Sequence, residues 1–155
     1  MIRNYEHGDH EEIAKIFPEA IHQIASEYYT EEQCLAWSEK EPNPLHWEKR
    51  CAKKKPFVYL IKGAVVGFIE LDPDGHIDCL YVHPNAKRKG IASALIQHVL
   101  GVCNEQRIET IYVEASLCAR PVFEKIGFKV VEKQEIMIKE ETLINYRMER
   151  SNKKD

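Results

Sequence analysis

Apolar positions change period near residue 56, and the change divides the elements. Before it, Ile13, Ile16, Phe17, Ile21 and Ile24 fall three or four residues apart (13 to 16 and 17, 17 to 21, 21 to 24), the spacing of one helix face. Asp9 stands ahead of that face with Glu12 three residues on, which predicts a capping box. Pro18 interrupts the face and predicts a kink or two helical pieces. Thr30 with Gln33 predicts a second box, opening a helix through Trp37. Asn43-Pro44 fits an N-cap and first helical position, with a helix through Trp47 to about Lys53. A short strand, Ile2 to Tyr5, comes first.

Beyond residue 56 the texture is that of strands. The runs 57-FVYLIKG-63 and 65-VVGFIEL-71 flank a turn at Lys62-Gly63. A second turn, 72-DPDG-75, leads into 76-HIDCLYV-82. Helical spacing returns with Ile91, Leu95, Val99 and Val102. A strand follows at 109-ETIYVEA-115, then a helix from Ala119 to Ile126 that ends at Gly127. Phe128 to Lys139 and Thr142 to Glu149 read as two closing strands. This order predicts an α+β fold: a central mixed, mostly antiparallel twisted sheet flanked by helices, with one β-α-β crossover and a final hairpin. It predicts a single domain over residues 1–150, with 151-SNKKD-155 as a frayed tail.

Composition narrows the partners. The 155 residues suit one core. With 22 basic and 25 acidic residues the formal charge is -3, so no global field favours nucleic acid. The basic segment 49-KRCAKKK-55 is the local exception. Five scattered cysteines without a CxxC pair argue against a disulfide framework or a zinc site, and predict reduced thiols, a cytoplasmic protein and no metal. No apolar run nears the roughly 20 residues of a membrane span. The opening MIRNYEHGDHEE lacks the apolar core of a secretory signal.

A run of three basic residues also lies in 82-VHPNAKRKGIASALIQHV-99, where Lys87, Arg88 and Lys89 precede Gly90 and a helix start. A helix N-terminus presents free amides and a positive dipole end. Glycine lets a ligand approach the backbone, and the small Ala92 and Ser93 keep that approach open. This is the chemistry of a phosphate cradle. The stretch has neither P-loop nor GxGxxG spacing.

Val82-His83-Pro84 followed by Lys87-Arg88-Lys89-Gly90-Ile91-Ala92 resembles the coenzyme motif of the GNAT N-acetyltransferase family, written (Gln/Arg)-x-x-Gly-x-(Gly/Ala) after a strand ending Val-x-Pro. The segment 122-VFEKIGF-128 is similar to that family's later (Tyr)-Glu-Lys-x-Gly-Phe motif. The resemblance covers about residues 2–149 and implies a GNAT-like fold and acetyl-CoA as cosubstrate. It implies pyrophosphate binding by Lys87 through Ser93, and pantetheine pairing along Leu80, Tyr81 and Val82. Lys87 stands at the usual Gln/Arg position and lacks the planar fork of Arg. Phe123 stands where many members carry a tyrosine general acid, and it cannot donate a proton. A thiol pKa of roughly 8.5 still makes a thiolate a tolerable leaving group.

By resemblance the reaction is direct transfer of acetyl from the thioester to a primary amine, which must lose a proton to attack. His76, Asp78 and Glu114 are the candidate bases. Asp78 is in phase with Leu80 and Val82 by strand alternation, or it supports the 72–75 turn; His76 suits equally the surface beside that turn, and Glu114 an exposed strand end. Ser116 takes a position where many members carry Asn facing the coenzyme; it also suits a turn cap. Arg120 is placed to reach a coenzyme phosphate or to stay in solvent. Tyr28, Tyr29, Trp37 and Tyr146 are candidates for an acceptor pocket, with core packing as the alternative. The segments 23-QIASEYYTEEQCLAW-37, 113-VEAS-116 and 145-NYRME-149 resemble a poorly characterised bacterial subgroup of the family. The acceptor expected is a small-molecule amine or a peptide, with no nucleic acid or membrane partner, in a monomer or homodimer. The alternative reading is a non-catalytic module that binds coenzyme A or its acyl form as a sensor.

Overall fold

The computed structural model describes residues 1–152. Its first half carries β1 (Ile2–Asn4) and the helices α1 (His10–Gln23), α2 (Glu31–Trp37) and α3 (Pro44–Lys54). The strands β2 (Phe57–Ile61), β3 (Ala64–Leu71) and β4 (His76–Val82) follow. Then come α4 (Ile91–Glu105), β5 (Thr110–Ser116), α5 (Arg120–Lys125), β6 (Lys129–Ile138) and β7 (Glu141–Ser151). The strands form one sheet in the order β1-β2-β3-β4-β5-β7-β6. Each neighbouring pair is antiparallel except β4 with β5, joined through α4 as a β-α-β crossover. No helix of the described residues is long and apolar enough to cross a membrane.

Strand alternation sorts the apolar side chains to two faces. On one, Ile91, Leu95 and Val99 of α4 pack on Ile69, Ile77, Ile111 and Phe123. On the other, Ile13 and Ile16 of α1 and Trp47 and Cys51 of α3 cover Val58 and Phe68. A third cluster joins Tyr29 and Cys34 to Leu143 of β7. Burying each such aliphatic side chain stabilises the fold by about 1.5–3 kcal/mol. The β2–β3 turn has Lys62 at φ 50° and Gly63 at φ 80°, both left-handed, which suits the twist of a tight hairpin. Gly75 has φ 99°, and a Cβ there would lie 2.5 Å from the Thr110 carbonyl oxygen. Only glycine lets this turn pass beneath β5.

Several expectations change. Asp9 does not cap α1 through its side chain. Its carboxylate instead accepts hydrogen bonds from the Arg3 guanidinium and the Glu6 amide, so no capping box with Glu12 forms. Helix α1 runs through Pro18 as one element, because Ile13, Ile16 and Ile21 on both sides of it are fully buried. Val102 is only half-buried; the inner seam of α4 turns toward Ile96, Leu100 and Cys103. The tail starts later than residue 151. Ser151 pairs with Thr110, and the Asn152 amide donates to the Glu109 carbonyl at 2.7 Å. The remainder of that tail, 153–155, lies outside the described residues. The five cysteines are free thiols.

Candidate active site

The site begins where two parallel strands separate. Strands β4 and β5 pair at His76 with Tyr112 and at Ile77 with Val113, and no further. Strand β5 keeps its other partner, β7, as far as Ser116 opposite Asn145. The ends of β4 and β5 therefore splay, and their backbones line the space between them.

A register shift in the β3–β4 pairing, between Ile69↔Leu80 and Leu71↔Ile77, puts one extra residue into β4. This overturns the expected phase of Asp78 with Leu80 and Val82. Ile77, Leu80 and Val82 pack toward α4, whereas Cys79 and Tyr81 pack toward α1. Asp78 meets α3 instead: its carboxylate accepts from Arg50 at 3.1 Å and from Lys54 at 2.7 Å. Arg50 also grips the fully buried Glu70 with two hydrogen bonds, at 2.8 and 2.7 Å. Burial works to raise the Asp78 pKa, but the Lys54 hydrogen bond and the two cations prevail and hold it below the usual carboxylate range. Arg50 and Lys54 thus spend their charge inside the protein, which leaves Lys49, Lys53 and Lys55 as the exposed cations of 49-KRCAKKK-55. Asp78 does not support the 72–75 turn; Asp74 does, accepting from the His76 amide.

Glu114 lies across the split from Asp78 and is exposed. Its carboxylate is 2.5 Å from His76 Nε2, while His76 Nδ1 is 3.1 Å from Asp72. The ring stacks on Tyr112 at 4.7 Å. Burial pulls the His76 pKa down, yet the bonds to Glu114 and Asp72 outweigh it and leave the pKa raised. Only the imidazolium can donate to both carboxylates at once. His76 is therefore no surface group; it ties β4 to β5 at the base of the split.

The cradle sits at the other end of β4. Arg88 and Gly90 adopt left-handed φ values of 65° and 74°. A Cβ on Gly90 would meet nothing within 4 Å, so its far side is open. No side chain caps α4, leaving the first-turn amides of Ile91, Ala92 and Ser93 available. Lys87, Arg88 and Lys89 are exposed, and none has an ion-pair partner among the described residues. The Ile91 side chain is buried in the core, so only its backbone faces this site. These features fit a diphosphate.

Next to the cradle runs an apolar cleft of about 580 Å³, walled by Ile21 and Ile24 of the first helical layer, Leu80 and Val82 of β4, Ala92 of α4 and Val122 of α5. Its apolar walls suit a flexible, weakly polar arm. Phe123 is buried against Phe128 at 5.0 Å and also lines the space between the separated strands. Ser116 caps the following turn, accepting from the Ala119 amide at 3.2 Å, and still lines the cleft. Arg120 bonds Glu124 at 2.6 Å and stacks over Tyr146 at 4.3 Å.

A second cleft of about 500 Å³ opens on the α2 side of the split, between Trp37, Asp78, Glu114 and the β6–β7 hairpin. Trp37, Tyr81 and Ser116 line both clefts and form the partition between them. Of the aromatic candidates, Trp37 is in place. Tyr29 lines the second cleft, but its hydroxyl is consumed, donating to the Ile144 carbonyl at 2.6 Å and accepting from the Leu117 amide at 3.0 Å. Burial pushes its pKa up to about 12. Tyr28 is 51% exposed and lines neither cleft. Tyr146 packs on the α4 face, opposite to Asn145, because neighbouring strand residues point to opposite sides. Sequence reasoning missed Arg50, Glu70 and Asn145. Glu70 carried a usable signal, a lone charge inside 65-VVGFIEL-71, which implies a buried cation partner.

A model of the acetyltransferase (GNAT) domain matches residues 25–150. An uncharacterised N-acetyltransferase of Escherichia coli, YafP, is 33% identical over 148 residues, covering 96% of this chain and 93% of that protein. The peptidyl-lysine N-acetyltransferase YjaB of the same organism is 29% identical over 139 residues, covering 87% of this chain and 86% of that protein. A crystal structure of a GNAT protein from Rhodopseudomonas palustris superposes with a TM-score of 0.90 at 28% identity, over 97% of this chain and 94% of that one. The chain belongs to the GNAT acetyltransferase family, as an acetyl-CoA dependent N-acetyltransferase.

Proposed function

We propose that the protein moves the acetyl group of acetyl-CoA directly to a primary amine, with Glu114 as the base. The carrying observation is the split between β4 and β5, which places an apolar cleft beside the α4 cradle back to back with a carboxylate-lined one. In this reading the Ile91, Ala92 and Ser93 amides and Lys87, Arg88 and Lys89 hold the diphosphate. Leu80, Tyr81 and Val82 align the pantetheine arm, and Ser116 adds a hydrogen bond to it. Arg120 stays with Glu124 and Tyr146 rather than reaching a phosphate.

The amine enters past Trp37 and passes a proton to Glu114. The new N–C bond forms as the C–S bond breaks, and the thiolate takes a proton. Glu114 is favoured over Asp78 because Asp78 is bonded to two permanent cations, Arg50 and Lys54, which lower its basicity, whereas Glu114 is bonded to His76 alone. His76 is a positioning residue that keeps Glu114 at the split. With Phe123 unable to donate, Tyr81 and Ser116 are the hydroxyl residues that line both clefts; burial pushes the Tyr81 pKa well above the usual value, so Tyr81 stays protonated and is the donor in this reading. Five free thiols favour a cytoplasmic setting. The domain spans residues 1–152 in this reading, and the acceptor is a small amine or a peptide amine.

Calorimetric titration with acetyl-CoA, beside coenzyme A and ADP, tests the reading first. Saturable binding to all three is expected, since they share the diphosphate. Glu114→Gln is expected to lower kcat by about a hundred-fold or more while the coenzyme Kd stays within two-fold. An unchanged pH–rate profile in that variant would move the base to Asp78, His76 or water.

A further inference from the structure

The second cleft has a polarity that selects its occupant. Ile136 and Ile138 of β6 and Leu143 of β7 form its outer wall, and Trp37 closes its inner side. The two charged side chains lining it, Asp78 and Glu114, are both acidic. No lysine or arginine lines it among the described residues, and the nearby Arg50 and Lys54 are bound to Glu70, Asp72 and Asp78. A carboxylate or phosphate entering here would lose its water without gaining a cation. It would also face Glu114.

One further atom marks where the polar end of the occupant lies. Asn145 lines this cleft, and its side-chain oxygen is buried and has no hydrogen-bond partner. It is the buried side-chain polar atom so placed among the described residues. Buried carbonyl oxygens are nearly always paired, so an orphan in a cleft marks a donor missing from the protein alone. Asn145 sits opposite Ser116 on β5, level with the partition between the clefts. An N–H donor at Asn145 Oδ1 is thus beside the carboxylates and at the edge of the coenzyme cleft.

We propose that the acceptor is a primary amine at the end of an uncharged, apolar alkyl or aryl-alkyl stem, with its nitrogen held by Asn145 Oδ1 and its stem on Ile136, Ile138 and Leu143. This rests on the acetyltransferase reading of the same site. It excludes α-amino acids and other amines that carry an anion beside the nitrogen. A free alkylamine and a lysine side chain share the required chemistry.

The test compares phenethylamine with phenylalanine, and hexylamine with Nα-acetyl-lysine amide, by thioester loss and by quenching of tryptophan fluorescence without coenzyme. Phenethylamine is expected to exceed phenylalanine at least ten-fold in kcat/KM, because the site leaves the added carboxylate unpaired. Asn145→Leu is expected to raise the amine KM about ten-fold with the acetyl-CoA Kd unchanged, and Asn145→Asp, which keeps an acceptor oxygen, to restore it. The two stem amines then identify the source: preference for the lysine amide points to peptides, and for hexylamine to small molecules. Equal or better use of phenylalanine would overturn the proposal, as would an Asn145→Leu enzyme with unaltered amine KM. If acetyl-CoA fails to bind, the transferase reading falls, and the fluorescence titration still decides the acceptor chemistry: quenching by phenethylamine but not phenylalanine supports it, and the reverse overturns it.

Discussion

Gly90 separates two effects that usually travel together. At φ 74° any L side chain is strained, by about 1–2 kcal/mol, although the space beyond its Cα is open. Gly90→Ala carries the strain alone, and Gly90→Glu adds negative charge where the diphosphate would lie. Calorimetry is expected to show modestly weaker acetyl-CoA binding for the alanine variant and none for the glutamate variant. Equal loss in both would mean that geometry, and not charge, forms the cradle. Arg50 gives a contrast in stability. Removing it by Arg50→Ala leaves Glu70 charged and 1% exposed, which is expected to cost about 3–5 kcal/mol in urea unfolding. Gly90 was legible from the sequence because its role is local: a strand end, a basic run, a glycine and a helix start within a dozen residues. Arg50 was not, because its partners lie 20 and 28 residues away on strands whose register no local pattern encodes.

Among the elements, α2 shows how a short helix can carry a wall of the second cleft. Seven residues are too few to be stable alone. The Thr30–Gln33 capping box starts it, and the Gln33 amide reaches across to the Thr142 carbonyl at 2.8 Å. Thr30→Ala is expected to lower stability by about 1 kcal/mol in denaturant unfolding, and to raise the amine KM more than the acetyl-CoA Kd, since Trp37 ends this helix. The same capping logic succeeded for Asn43, whose side chain accepts from the His46 amide, and failed for Asp9. At Asp9 a stronger donor, the Arg3 guanidinium, took the carboxylate. Strand β4 is the other instructive case. Its alternation reads cleanly in 76-HIDCLYV-82, yet the bulge opposite Glu70 reverses the phase midway. That reversal packs Tyr81 toward α1 while Leu80 and Val82, like Ile77, pack toward α4.

For the whole molecule, one ionic chain crosses the split: Glu114, His76, Asp72, Lys54, Asp78, Arg50, Glu70. It fastens α3 to the sheet and β4 to β5 beneath the clefts. Since the folded-state pKa of His76 is raised, its contribution is fully present below the unfolded value of roughly 6.5 and is lost as pH rises through the folded value. The difference in melting temperature between the wild type and His76→Gln is therefore expected to shrink as pH rises above about 6.5. A difference that grows with pH would contradict the ion-paired geometry. The sequence by itself determined the element order, the α+β class, the turn glycines and the coenzyme-side motif, because each depends on residues near one another along the chain. Tertiary structure alone decided the sheet register, the split of β4 from β5, the pairing of Arg50 with Glu70 and Asp78, and the burial of an unpaired Asn145 oxygen in the wall of a cleft. These are contacts between segments far apart in the chain, and their geometry follows from how two helical layers pack on one twisted sheet.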